Sequence, residues 1–271
     1  MKIIIIGGTG FIGSKIVTRL LASGLEAVAA SRSSGVNTMT GRGLADVIAR
    51  ASVVIDVSSP PTFDGAQALQ FFQTSTGNLL SAEAEAGVQH HVVLSVVGAA
   101  RLAESGYMRA KYAQERLIRD NSIPYTIVDA TLFFESIQRV AGLASDGSTV
   151  AVPPVLIQPI AGDDVAATLC NVSVAVPLNG TIEVAGPEQF RFDELVRHRL
   201  MARHDSRKVI VDPEARFFGA RVDDRSLLPG VGAHIAETRF ADWLGHSVER
   251  AYGTLRPPTS ANEAGGQQVH Y

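Results

Sequence analysis

Tyr107 and Lys111 stand four residues apart in the stretch SGYMRAK, which runs from Ser105 to Lys111. Five tyrosines and four lysines in 271 residues predict about 0.07 such pairs by chance, so the spacing stands out. On a helix, residues i and i+4 share one face, and a phenol and an ammonium there address a single ligand. An ammonium beside a phenol favours the phenolate. The pair therefore predicts a Tyr107 pKa below the usual value of about 10, and a general acid–base for neutral pH. Ser95 lies twelve residues earlier, near the end of the apolar run HVVLSVV. Each residue has a bland alternative. Ser95 bonds strand-end backbone, Tyr107 packs on a loop at a helix start, or Lys111 is a solvated surface lysine.

The second cluster is glycine-rich. IIIIGGTGFIGS spaces Gly7, Gly10 and Gly13 as GxxGxxG between an apolar β-branched run and an apolar helical repeat. Gly7 lets the chain turn off a strand, Gly10 lets backbone approach a pyrophosphate, and Gly13 lets a helix pack on the sheet. The helix start offers free N–H groups and the positive dipole end to an anion. The alternative is a tight strand–helix turn that binds nothing. At the end of the next strand the sequence reads SRSS, Ser31 to Ser34, with no acid before Asp46. An NAD site places an acid there for the ribose hydroxyls. Arg32 instead suits a 2′-phosphate, with Ser31 and Ser33 as further donors, so NADP is favoured. The alternative leaves Arg32 as a solvent-exposed loop residue.

These groups need strands and helices to position them. Lys2–Ile6 reads as a buried parallel strand. Phe11–Ser23 reads as a helix with an apolar stripe at Ile12, Ile16, Val17, Leu20 and Leu21. Strands follow at Glu26–Ser31, weakly at Val36–Thr40, and at Val53–Val57, His91–Val97 and Tyr125–Ala130. Helices are expected at LADVIARA, Asp64–Ala86 and Ser105–Arg119. Strands alternating with helices predict an α/β Rossmann-type, doubly wound parallel sheet. After Thr131 the alternation loosens. FFESIQRVAGLA, DDVAATLCNV and FDELVRHRLMAR read as helices, and STVAVP and GTIEVAG as strands. Residues 1–245 are one domain, with 132–245 contributing a smaller C-terminal substrate-side lobe. Residues 246–271 read as a polar tail. Phe133 and Phe134 line a pocket or fill the core. Asp163-Asp164 is expected to cap the following helix and complement its dipole.

The bulk composition narrows the function classes. A chain of 271 residues with 46% hydrophobic and 19% charged residues builds its own core as a soluble globular protein. A net charge of −3 provides no global field for nucleic acid or anionic lipid. Arg191–Arg225 is basic but interleaved with acids, a solvated mixed-charge face rather than a nucleic-acid patch. One cysteine, Cys170, points to an intracellular chain and excludes multi-cysteine zinc. No HExxH spacing marks a metal site, and Ile3–Ile6 is too short for a signal segment or a membrane span. The default location is the cytoplasm.

GGTGFIGS, SRS, LSVVG and YMRAK together resemble the short-chain dehydrogenase/reductase superfamily in its atypical NmrA-like branch. QPIAGDDVAATL and IEVAGPEQFRFDELV resemble that branch's substrate-side segments, and the resemblance covers about residues 1–245. It implies Ser95 as the substrate-orienting serine and Tyr107 as the group that delivers or takes the proton at a carbonyl oxygen. It implies Lys111 on the nicotinamide ribose, and Asp129, Ala130 and Thr131 near the nicotinamide. The expected cofactor contacts are Gly7, Thr9, Gly10, Phe11, Ile12, Gly13, Ser31, Arg32, Ser33, Ser58 and Lys111. The chain departs from relatives at Thr40-Gly41, where they tend to carry Gly-Asp against the adenine. The expected function is an NADPH-dependent oxidoreductase, a monomer or homodimer. It reduces a small apolar carbonyl, quinone or enone by hydride transfer, with Tyr107 as general acid. Its expected partner is that small-molecule substrate, with no nucleic acid and no membrane. The alternative is an NADP-binding redox sensor of the NmrA type without catalysis. A third reading is a non-redox step, such as isomerisation or dehydration, on a nucleotide-bound site.

Overall fold

In a computed structural model, residues 1–253 are described, 247–253 by their backbone alone. Strand β1 (Lys2–Ile6) is the centre, because its four isoleucines bury both faces. Ile3 and Ile5 pack on Ile12, Ile16 and Leu20 of helix α1 (Phe11–Ala22). Ile4 and Ile6 face the other layer, with Leu44 and Ile48 of helix α2 (Leu44–Ile48). An apolar run without alternation is what a strand covered on both sides requires, and each buried isoleucine contributes about 1.5–3 kcal/mol.

Strands β2 (Glu26–Ala30) and β3 (Val53–Asp56) flank β1 on opposite sides. Helix α3 (Gly65–Ala86) begins at Asp64, which accepts from the Gln67 N–H at 2.9 Å, and ends at Gly87 in the left-handed region (φ 69°). Strand β4 (His90–Val96), helix α4 (Gly106–Arg119, capped by Ser105) and strand β5 (Tyr125–Ala130) continue the alternation. Then come helix α5 (Ile137–Leu143), strands β6 (Thr149–Val152) and β7 (Leu156–Ile157), helix α6 (Gly162–Val174) and strand β8 (Gly180–Ala185). Strand β9 (Phe190–Arg191), helix α7 (Phe192–Met201), strands β10 (Lys208–Val211) and β11 (His234–Ile235), and helix α8 (Phe240–Gly253) complete the described chain. The main sheet runs β11-β8-β5-β4-β3-β1-β2, parallel throughout. Its order reverses between β1 and β3, so the carboxyl ends there open a crevice for a ligand.

Four expectations change. Val36–Thr40 forms no strand, only an isolated bridge from Asn37 to Arg42, and β2 is the sheet edge. The segment 132–245 does not stay in the lobe, because β8 and β11 rejoin the main sheet. Asp163 and Asp164 sit in the first turn of α6 behind an Ala161 N-cap. Neither caps the helix: Asp163 pairs with Lys15 at 2.9 Å, and Asp164 accepts from Thr238. Helix α8 runs to Gly253, past residue 246 where the tail is expected to begin, and 254–271 lie outside the described residues. The lobe packs β6, β7, β9, β10, α5 and α7 around Phe134, Phe192, Phe217 and Phe240. Within Arg191–Arg225 the charges pair, as Arg197–Asp193 and Arg207–Asp205. Among the described residues no helix is long and apolar enough to cross a membrane.

Candidate functional site

Two cavities meet over Gly10, Val57, Ser58 and Ser59 at the reversal point of the sheet. The first, about 500 Å³, is walled by Gly7, Thr9, Gly10, Ser31, Arg32, Ser33, Ser58 and the loop Val36–Met39. Gly7 turns off β1 at φ 81°. A Cβ at Gly13 would lie 2.2 Å from the Gly7 carbonyl oxygen, whereas one at Gly10 meets only that oxygen, at 3.1 Å. The Gly10 position is thus open toward the crevice. No side chain caps α1. Its first-turn residues Phe11, Ile12 and Gly13 line the second cavity, which suits an anion held by backbone N–H groups. Ser58 Oγ and Thr131 Oγ1 border the same crevice, buried and without a hydrogen-bond partner among the described residues. Unpaired buried hydroxyls and a bare helix start fit a dinucleotide rather than a closed turn.

The second cavity, about 350 Å³, is lined by Ser95, Tyr107 and Lys111 together with Phe63, Phe133, Val140, Ile157 and Phe218. Tyr107 follows the crossing of α3 and α4, where Gly65 and Gly106 touch. A Cβ on either would fall within 2.8 Å of the other's Cα. The Tyr107 ring is held by Phe63 (centroids 5.1 Å), Phe218 (5.9 Å) and Phe72 (6.2 Å). Arg139 stacks over Phe63 at 4.3 Å. Burial pushes the Tyr107 phenol above its ordinary value, partly offset by Arg139. This reverses the expected lowering. The Lys111 ammonium donates instead to Gln114 Oε1 and lies 4.7 Å over the Phe72 ring. Burial brings Lys111 down to about 8, against the pull of Asp56, Glu115 and Asp129.

Beneath the cavity lies a buried polar layer. Gln114 donates to Asp56 and to Thr76, both at 3.1 Å, and Asp56 accepts from the Ser58 N–H at 2.9 Å. A chain of bonds thereby ties Lys111 to the loop between the two cavities. Ser95, Asp129 and Glu183 are register partners across β4, β5 and β8. Ala130 and Thr131 line the second cavity, but Asp129 is turned to the layer below it. His90 and His91 diverge, to Thr126 and Glu83.

Burial first, then Glu115 and Glu183, raise Asp129 from 3.8 to about 8. Between those values the folded protein keeps a proton that the unfolded chain has released. Stability therefore falls as pH rises through that window. Asp129→Asn is expected to raise stability by up to about 6 kcal/mol above pH 8 and by almost nothing near pH 4. Thermal melts at both ends check this, and an equal Tm change at each contradicts the assignment.

The expected Ser95, Tyr107 and Lys111 and the expected cofactor contacts border one cavity or the other, whereas Asp129 borders neither. Phe133 lines the second, while Phe134 is fully buried core. Sequence reading missed Phe63, Arg139, Phe217, Phe218 and Leu227, which converge from separate loops and the lobe. No local spacing marks them. Glu115 and Gln114 were missed too, although each falls three or four residues beyond Lys111 on the same helix face.

A family model described as NAD(P)H-binding matches residues 7–172. The Photosystem II assembly factor Ycf39 of Synechocystis sp. is 24% identical over 151 residues, 51% of this chain and 46% of its own. The chain thus spans about half the length of that curated relative. The UDP-glucose 4-epimerase of Thermotoga maritima, solved with UDP-glucose, superposes with a TM-score of 0.71 at 15% identity over 94% of this chain and all of its own. A short-chain dehydrogenase/reductase superfamily protein of Agrobacterium tumefaciens with bound NAD gives 0.70 at 15% over 94% and 98%. These structures share this chain's Rossmann-like α/β fold. With more than half its length matched, the chain belongs to the NAD(P)H-binding family.

Proposed function

We propose that the protein is an NADPH-dependent reductase of a small, largely apolar carbonyl, quinone or enone. The carrying observation is that Ser95, Tyr107 and Lys111 line one apolar cavity that meets the glycine-loop crevice. A bound dihydronicotinamide supplies the hydride. Phe11, Ile12 and Gly13 at the α1 start would hold its pyrophosphate, and Ser58 and Lys111 its nicotinamide side. Tyr107 gives its proton to the carbonyl oxygen as the carbon is reduced to the alcohol. Burial keeps the phenol protonated at neutral pH, so the proton is present to be given, although a phenol raised this way is a weaker acid than one brought down toward neutrality. Phe63, Phe218 and Phe133 exclude water and favour an apolar substrate. The test is NADPH oxidation against a panel of quinones and aldehydes. Turnover on none of them, with tight NADPH binding, refutes the catalytic reading.

Arg32 supports NADPH over NADH. It lines the adenosine-side cavity, is exposed, and has no ion-pair partner among the described residues. Ser31 and Ser33 flank it, their hydroxyls 2.8 Å apart. Arg32→Ala is expected to weaken NADPH binding by about 10–100-fold and to leave NADH within about twofold, the loss of one charge-assisted bond. Titrations with each cofactor check it, and equal losses for both sink the 2′-phosphate role.

A second reading has its own support. The Tyr107 hydroxyl has no hydrogen-bond partner among the described residues, and Lys111 is turned to Gln114. A regulator or an assembly protein, the latter being what the Ycf39 relative is named as, would need only the glycine-loop crevice to bind the cofactor. Such a protein binds NADPH and functions with Tyr107→Phe unchanged.

A further inference from the structure

Resting on that carbonyl reading of the cavity, we propose that Glu115 is a positioning residue that fixes which way the Ser95 hydroxyl faces the substrate. Ser95 Oγ donates to Glu115 Oε1 at 2.6 Å. Both side chains are buried, Ser95 at 5% and Glu115 at 3% exposure, and Ser95 lines the second cavity. The other Glu115 oxygen accepts from Arg119 at 2.9 Å, and Arg119 also donates to Thr181 at 3.0 Å. Lys111 on α4, Asp129 on β5 and, beyond it, Glu183 on β8 are the remaining charged groups facing this pair.

A serine hydroxyl has one proton and two lone pairs, and a carboxylate only accepts. With its proton directed to Glu115, Ser95 offers the cavity lone pairs alone. A ketone oxygen is itself an acceptor and gains nothing from them. An alcohol hydroxyl donates to them. Tyr107 is then the donor left for a carbonyl, and Ser95 selects the alcohol made from it.

Glu115→Gln reverses the arrangement without changing its shape. Arg119 has no acceptor, so the amide oxygen must stay on Arg119. The amide NH2 then faces Ser95 and donates to it, which turns the Ser95 proton into the cavity. The test uses the full chain saturated with NADP+, with acetophenone and 1-phenylethanol as matched probes. Glu115→Gln is expected to tighten acetophenone and weaken 1-phenylethanol, changing the ratio of their Kd values by about tenfold. Ser95→Ala weakens only the alcohol. A purely structural role for Glu115 would weaken both probes together, and that result, or an unchanged ratio, overturns the proposal.

A readout free of ligand accompanies these titrations. The short Ser95–Glu115 bond predicts a downfield, slowly exchanging hydroxyl proton in the wild-type NMR spectrum, lost in Ser95→Ala. If neither probe binds the wild type, the carbonyl reading fails. The facing of Ser95 is then decided by that proton, whose absence from the wild type overturns it.

Discussion

Tyr107→Phe is expected to lower kcat for NADPH-dependent carbonyl reduction by about 100-fold or more, the usual contribution of a positioned general acid. NADPH affinity should stay within about twofold, and so should the fraction folded. The ring is held by Phe63, Phe72 and Phe218, and all three contacts survive loss of the hydroxyl. The hydroxyl bonds no described residue, so removing it leaves no buried partner unpaired. A fall in kcat with cofactor binding intact therefore reports the proton and not the packing. The wild-type pH profile adds a check. Tyr107 is raised by burial, so the acid stays loaded through neutral pH and its limb lies above 10. Lys111, brought down to about 8, loses its charge first as pH rises. A limb near pH 8 that disappears in Lys111→Met would identify the ammonium as the earlier one. Full turnover in Tyr107→Phe would remove the general-acid role and leave the cofactor crevice standing.

What the sequence made legible was local. KIIII predicts a strand covered on both faces because nothing polar interrupts it, and Ile3–Ile6 are 0–2% exposed. The glycine spacing predicts a crevice because it lies between that strand and a helix with an apolar stripe. The Tyr107–Lys111 spacing places both residues on one helix face, and both border the same cavity. What stayed hidden depends on contacts across the chain. Val36–Thr40 has strand-like residues, but Gly35 at φ 86° turns the chain away, and the segment makes an isolated bridge from Asn37 to Arg42 in place of a strand ladder. The cage around Tyr107 draws Phe63 from a loop and Phe218 from the lobe, positions no periodicity connects. The expected pull of Lys111 on Tyr107 assumed an ammonium aimed at the phenol. Gln114, one turn on, takes the Lys111 proton donor instead, and burial then decides the direction of the Tyr107 shift.

Gly13→Ala is expected to destabilise the protein by about 3 kcal/mol or more and to abolish detectable NADPH binding in what remains folded. The added methyl would sit 2.2 Å from the Gly7 carbonyl oxygen and 2.7 Å from Gly8 Cα, both backbone atoms with no rotamer to relieve the overlap. Relief requires α1 to move off the β1–α1 turn. That movement separates Ile12 and Ile16 from Ile3 and Ile5, the contacts that seat the helix on the sheet. It also carries away the first-turn N–H groups that face the crevice, so stability and binding fall together. For a chain of this size, 3 kcal/mol corresponds to a Tm drop of roughly 6–12 °C. Gly10→Ala separates the two effects. Its methyl meets only the Gly7 oxygen, at 3.1 Å, and otherwise enters the space that a pyrophosphate would use. Its Tm should stay within about 3 °C of wild type while NADPH binding weakens at least about tenfold. Thermal melts and cofactor titrations on the two variants check this pattern. A Gly10→Ala protein that binds NADPH as tightly as wild type would mean that the glycine loop is a tight turn rather than a phosphate cradle.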